Sequence, residues 1–198
     1  LELDTTLKEA KQGLIINDGV QIVISGYPNS GKSTLLNALA GTDSAIVTAI
    51  PGTTRDVLNV EISIEGVSIK LTDTAGLRET KDPIEQEGVK RAQEAIHSAD
   101  HILFVIDATT LDERLTNLRD VVNSFLSTHA LKLDPENRFT IVINKLDLVD
   151  KRELSVSNLE ILDIKTTVIG ISAKTKVGIE KLRKHFLDVS GYTPLNTD

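Results

Sequence analysis

Short apolar runs alternate with amphipathic stretches along this chain. Gln21-Ile22-Val23-Ile24-Ser25, Ile102-Leu103-Phe104-Val105-Ile106 and Thr140-Ile141-Val142-Ile143 are almost continuously apolar, as strands covered on both faces should be. Val168-Ile169-Gly170-Ile171 has the same character and reads as the last strand. Leu58, Val60, Ile62 and Ile64 instead alternate with Asn59, Glu61, Ser63 and Glu65. After a Glu65-Gly66 turn, Val67, Ile69 and Leu71 alternate with Ser68 and Lys70. The pair reads as a hairpin, which brings one antiparallel strand into an otherwise parallel sheet. Helical spacing covers 34–40, with Gly41 at the stop position, and 84–99, with Val89, Ala92 and Ile96 on one face. It covers 115–126 as well, and 178–189, where Ile179, Leu182 and Phe186 point inward. Strands interleaved with helices predict a three-layer α/β domain whose mostly parallel six-stranded sheet carries one antiparallel strand. Leu1, Leu3, Leu7 and Ala10 are roughly spaced for a helix, and Asn17-Asp18-Gly19 signals a turn. The expected division is 1–18 for the end of a neighbouring helix and its linker, 19–192 for the domain, and 193–198 for a trailing linker.

Composition narrows the function. At 198 residues the chain has room for one domain with extensions. Its net charge of −7 argues against strong electrostatic binding of nucleic acid by this stretch. With no cysteine there is no disulfide, thiol catalysis or cysteine–zinc site. His97, His101, His129 and His185 lack ligand spacing and are expected at the surface or at helix ends. No apolar run approaches a membrane span and no signal peptide is visible, so a cytoplasmic protein without membrane partners is expected. The chain begins at Leu1 and contains no methionine, which suggests a piece of a longer protein.

The chemistry centres on Gly26-Tyr27-Pro28-Asn29-Ser30-Gly31-Lys32-Ser33, which fits the G-x-x-x-x-G-K-[ST] phosphate-binding loop. It follows a predicted strand and opens a predicted helix, so backbone N–H groups and the helix N-terminus can face an anion. Asn29, Ser30, Gly31, Lys32, Ser33 and Thr34 are the candidate phosphate contacts. Lys32 would reach the β- and γ-phosphates, and the Ser33 hydroxyl would take a Mg²⁺ position. Ligands of parallel α/β sheets sit beyond the carboxyl ends of the strands, and the remaining motifs all fall there. Asp73 ends a strand before Thr74-Ala75-Gly76; its carboxylate can hold Mg²⁺ through water, and the Gly76 N–H would face the γ-phosphate. In Gly52-Thr53-Thr54-Arg55-Asp56, the Thr54 hydroxyl is the candidate to complete the Mg²⁺ shell.

Asn144-Lys145-Leu146-Asp147 carries base-reading chemistry. A carboxylate at Asp147 can accept two N–H bonds from the N1 and 2-amino edge of guanine, a donor pair that adenine lacks, so GTP is selected over ATP. The Lys145 stem can lie along the base, and Asn144 can tie this loop to the phosphate loop. Ser172-Ala173-Lys174 follows the last strand, where a backbone N–H would meet the guanine O6.

Taken together, these residues resemble the translation-factor-like GTPases with a Ras-like fold. GYPNSGKSTLLNALAG, AIVTAIPGTTRD and DTAGLRET narrow the resemblance to the G domains of the MnmE (TrmE) family of tRNA-modification GTPases, over about Asp4 to Tyr192. The resemblance implies a G domain inserted in a helical domain, with a folate-binding domain ahead of it. It implies partnership with an MnmG-type flavoprotein and tRNA through the full-length protein, and hydrolysis activated by K⁺ and by dimerisation of two G domains. It assigns K⁺ to Asn29, to the carbonyls of Thr48 and Ile50, and to Thr53. Where many GTPases carry a water-positioning glutamine this chain has Leu77, which cannot orient water by hydrogen bonding. Spacing alone does not choose among Glu79, Asp82, Glu85 and Glu87; the resemblance points to Glu85. The alternatives are a ribosome-assembly GTPase of the EngA or Era type, and a slow nucleotide-dependent binding switch.

Overall fold

The computed structural model describes residues 19–41, 45–46, 59–73, 94–112, 115–128, 139–150, 157–161 and 164–192. The strands are β1 (Val20–Ser25), β2 (Ala45–Ile46), β3 (Asn59–Ile64), β4 (Val67–Asp73), β5 (His101–Asp107), β6 (Phe139–Asn144), β7 (Ser157–Ile161) and β8 (Ile164–Gly170). They form one sheet in the order β2-β3-β4-β1-β5-β6-β8-β7. From β4 through β1, β5 and β6 to β8 every neighbour is parallel, and β3 joins β4 antiparallel. This is the six-stranded sheet expected from the sequence. Two further strands, β2 and β7, extend it antiparallel at its two edges.

Helices α1 (Lys32–Ala40), α2 (Leu118–Thr128) and α3 (Ile179–Ser190) cover the sheet, together with a helical stretch at 94–98. Because side chains alternate across a strand, the apolar runs feed two cores. On one face Ile22, Ile24, Leu103, Val105 and Val142 pack with Leu35, Leu36 and Leu39 of α1 and with Ile179, Leu182 and Phe186 of α3. On the other, Phe104, Ile106, Ile141 and Ile143 pack with Leu118, Val122, Phe125 and Leu126 of α2. Phe104 and Phe125 stack there with ring centroids 3.9 Å apart. Both faces are therefore largely apolar, and most of the buried polar groups lie toward the two ends of the strands. Among the described residues no helix is long and apolar enough to cross a membrane.

Several expectations shift. The helix expected over 115–126 begins at Leu118, because Leu115 has a left-handed backbone (φ 56°) and the Asp112 carboxylate takes the Thr116 and Asn117 N–H groups ahead of it. Of the helix expected over 84–99, the described part is 94–98. The segments 1–18 and 193–198 lie outside the described residues.

Two histidines overturn the expectation of a surface or helix-end place. His101, 3 % exposed, starts β5, and His185 lies on α3, at the edge of the sheet where the parallel strands begin. Each presents Nε2 at 2.8 Å from the buried Thr140 hydroxyl. A hydroxyl donates to one ring and accepts from the other, so both imidazoles can stay neutral. Burial, with the nearby His185 charge, pushes His101 down to about 3. Burial also lowers His185, against the opposing pull of Asp188.

Candidate nucleotide-binding site

The phosphate loop leaves the sheet where β1 ends. Gly26 passes so close to β5 that a Cβ would lie 2.2 Å from the Val105 carbonyl oxygen. Gly31 has φ 91°, and a Cβ there would meet Asn144 Nδ2 at 2.3 Å. Asn29 between them is also left-handed, at φ 63°. Such backbone turns successive N–H groups into a concavity suited to an anion. The loop runs into α1, whose first turn has no acidic residue and whose N-cap, Gly31, supplies no side-chain cap. The N-terminal N–H groups of α1 are thus available to a phosphate.

Lys32 is 7 % exposed and curls back over the loop, donating to the Gly26 and Tyr27 carbonyls at 2.9 and 3.0 Å. An ammonium has three donors, so a third can serve a ligand. Burial lowers its pKa, and the Asp73 charge partly restores it. A cation already stripped of water would gain strongly from phosphate oxygens.

Ser33 and Asp73 are 40 residues apart in sequence, yet the Ser33 hydroxyl donates to Asp73 Oδ2 at 3.1 Å. The parallel β1–β4 pair makes the meeting possible, because Ile24 lies beside Asp73 at the tips of the two strands. A hydroxyl and a carboxylate form an all-oxygen donor set, which fits Mg²⁺ held partly through water. Asp73 is 2 % exposed, so the carboxylate is fixed in place.

The base-reading motif closes the other side. Asn144, the last residue of β6, donates through Nδ2 to the Ser30 carbonyl at 2.9 Å and accepts at Oδ1 from the Ala173 N–H at 3.0 Å. One buried amide thus fastens three loops, including the tie to the phosphate loop expected from the sequence. Ser172 donates to Asp147 Oδ1 at 2.6 Å and accepts from the Thr175 N–H at 3.1 Å. Ala173 and Thr175 have therefore committed their N–H groups, which leaves that of Lys174 for a base oxygen. Lys145 is left-handed (φ 67°), and its ammonium reaches Asp107 Oδ2 at 2.6 Å.

Lys32, Ser33, Asp73, Asn144, Lys145, Asp147, Ser172, Ala173 and Lys174 thus gather at the carboxyl edge of one sheet, with Asn29, Ser30 and Gly31 in the loop and Thr34 in the exposed first turn of α1. Thr48, Ile50, Thr53, Thr54, Gly76 and Glu85 lie outside the described residues. Sequence reasoning gave no site role to the Asp107 carboxylate or the Ser172 hydroxyl. The Ser-Ala-Lys triplet points only to a backbone N–H, and Asp107 falls in none of the motifs.

A parallel sheet with a glycine-bracketed anion loop, a buried lysine and a hydroxyl–carboxylate pair at its strand tips defines a P-loop nucleotide-binding domain. The family model described as 50S ribosome-binding GTPase matches residues 21–145, and the chain belongs to that family. A tRNA modification GTPase MnmE from Shewanella frigidimarina is 46 % identical over 195 residues, covering 96 % of this chain and 40 % of that protein. The chain therefore spans less than half the length of this curated relative. Among solved structures, Aquifex aeolicus Era bound to GDP·AlF4⁻ is 28 % identical, with a TM-score of 0.58 over 89 % of this chain and 57 % of that one. The G domain of the T. maritima FeoB iron transporter, 22 % identical, shares the fold with a TM-score of 0.55 over 86 % of this chain and 98 % of that one.

Proposed function

We propose that this chain is the GTP-hydrolysing domain of a cytoplasmic tRNA-modification protein, stimulated by K⁺ and by pairing of two such domains. The observation that supports it best is the convergence of Lys32, the Ser33–Asp73 pair and the Asn144–Asp147 motif at one edge of one sheet. The 46 % identity to an MnmE protein supports the tRNA-modification role.

The reaction is attack of water on the γ-phosphorus, breaking the bond to the β–γ bridging oxygen and releasing phosphate and GDP. Charge accumulates on the phosphoryl oxygens, so catalysis is mostly positioning and electrostatic stabilisation. The loop N–H groups and the N-terminus of α1 hold the phosphates, and Lys32 contributes its ammonium to the β- and γ-oxygens. Asp147 fixes the guanine edge while Asn144 keeps the base loop and phosphate loop in register. Ser33, Asp73 and Thr54 would hold Mg²⁺, and Asn29, Thr53 and the Thr48 and Ile50 carbonyls would hold K⁺. Both ions, when bound, neutralise negative charge on the transferring group. The Gly76 N–H would face the γ-phosphate, and Glu85 would orient the attacking water. The MnmG-type flavoprotein and tRNA would engage the full-length protein.

Phosphate release tests this directly. Turnover in K⁺ should exceed that in Na⁺ at equal ionic strength by at least about tenfold. Equal rates would remove the cation from the reading. An Asp147→Asn change should move preference from GTP toward XTP, and unchanged selectivity would reject the base-reading role.

A further inference from the structure

Asp107 lies outside the motifs that read the nucleotide, yet its carboxylate is the charged partner of Lys145. It ends β5 directly beside Asn144 at the tip of β6, in the register Asp107↔Asn144. The pair is therefore built across two adjacent strand tips. The two carboxylate oxygens divide their work. Oδ1 accepts from the Thr109 N–H at 2.9 Å and from its hydroxyl at 2.8 Å, capping the short turn Ala108–Thr110. Oδ2 takes the Lys145 ammonium at 2.6 Å. Partial burial works against the charged carboxylate, but the bonds from Lys145 and Thr109 outweigh it and hold the group below its ordinary range. Capping the turn needs only the first oxygen, so the second is committed to the lysine.

The lysine stem is placed as well as its head. Lys145 Cε lies 3.9 Å from the point where a Gly31 Cβ would stand, so the stem runs beside the phosphate loop. Its backbone is held by the bond from the Leu146 N–H to the Ile171 carbonyl at 3.1 Å. A free lysine stem samples many rotamers and would lose them on covering a base. A stem pinned at both ends has already lost them.

We propose that Asp107 is a positioning residue: by anchoring the Lys145 ammonium, it fixes the lysine stem as an apolar shelf for the purine ring. This rests on the guanine-nucleotide reading above. The shelf serves any purine ring, whereas Asp147 reads the edge of guanine. Loss of Asp107 therefore weakens GDP and inosine diphosphate alike and leaves pyrophosphate untouched.

The test is a double-mutant cycle on the 198-residue chain, read as GDP affinity by titration calorimetry with Mg²⁺ present. Asp107→Asn keeps an oxygen for Thr109 but turns an amide donor toward the ammonium. It should weaken GDP and inosine diphosphate about tenfold, and less than about twofold in a Lys145→Met background. An equal loss in both backgrounds, a loss confined to GDP, or an equal loss for pyrophosphate overturns the proposal. Asp107→Glu keeps the charge and is the second variant should Asp107→Asn not fold. It should stay within about threefold of the unaltered chain, and a tenfold loss would assign the effect to the turn cap instead. The guanine reading is judged separately, on the unaltered chain. If that binds ADP as tightly as GDP, the site assignment itself falls and this proposal with it.

Discussion

The two ends of the same sheet both bury polar side chains, and they do so in opposite ways. Where the parallel strands finish, the polar groups sit on irregular backbone. Asn29, Gly31 and Lys145 are all left-handed, and the partners of Lys32 and Asn144 are loop carbonyls and N–H groups. Where the strands start, His101, Thr140 and His185 sit on regular strands and a helix and satisfy one another. The first arrangement holds donors at the mouth of a cradle, which costs conformational strain and desolvation unless a ligand relieves it. The second is closed on itself. Polar burial alone therefore does not mark a site; burial on strained loops whose groups can still reach a ligand does.

The sharpest separation should come from Lys32→Ala against Thr140→Val. Phosphate release should fall at least about 100-fold in the first and change less than about twofold in the second. Lys32→Ala should not lower the melting temperature, because burial already works against the ammonium in the folded chain. A comparable loss of turnover from Thr140→Val would mean that the two ends are coupled and that the closed cluster is part of the machinery.

Gly31→Ala tests whether the strain belongs to the cradle. The added Cβ would stand 2.3 Å from Asn144 Nδ2 on a backbone with φ 91°. Either the loop or Asn144 must move, and the bonds from Asn144 to Ser30 and Ala173 are lost together. A stability loss of about 3 kcal/mol in chemical denaturation is expected, with GDP affinity falling in parallel. Unchanged stability would show that the three-loop tie carries little of the fold.

What could be read in advance follows the same division. The phosphate loop was legible because its residues are consecutive and its chemistry needs glycine at fixed places. The meeting of Ser33 with Asp73 followed from the rule that ligands sit at strand tips. Contacts that span long separations outside any motif were not legible. Thr140 lies 39 residues from His101 and 45 from His185, and Lys145 lies 38 from Asp107. Only the register of neighbouring strands brings such pairs together. The β7–β8 hairpin was missed for a different reason. Leu162 and Asp163, which link its strands, include none of the glycine or asparagine that signals a tight turn, and β7 is an edge strand with mixed composition. The start of α2 was set by the Asp112 side chain, which competes with the helix in a way that hydrophobic spacing cannot report.

Thr140→Val then measures the closed end by itself. Valine keeps the shape of threonine but strands two ring nitrogens that share its hydroxyl. A loss of about 2 kcal/mol at neutral pH is expected, with nucleotide affinity unaltered. A neutral result would mean that the imidazoles find replacement partners when the hydroxyl is gone.

The smallest effect is set by pH, and its sign is fixed by the buried imidazoles. His101 titrates near 3 in the folded chain against an ordinary 6.5, so the unfolded chain binds a proton first as the solution is acidified. The stability this contributes is complete above pH 6.5 and is lost as pH falls from there toward 3. His185 is lowered as well and adds in the same direction, against the opposing pull of Asp188. From His101 alone, the drop over the first pH unit below 6.5 is about 1 kcal/mol. Denaturant titrations at the two pH values should resolve it, and His101→Phe should remove that share of the slope. The carboxyl edge predicts no such fall in this window, because no histidine stands among its site residues. A fall unaltered by His101→Phe would therefore move the acid sensitivity away from the closed cluster, and the distinction between the two ends would have to be drawn again.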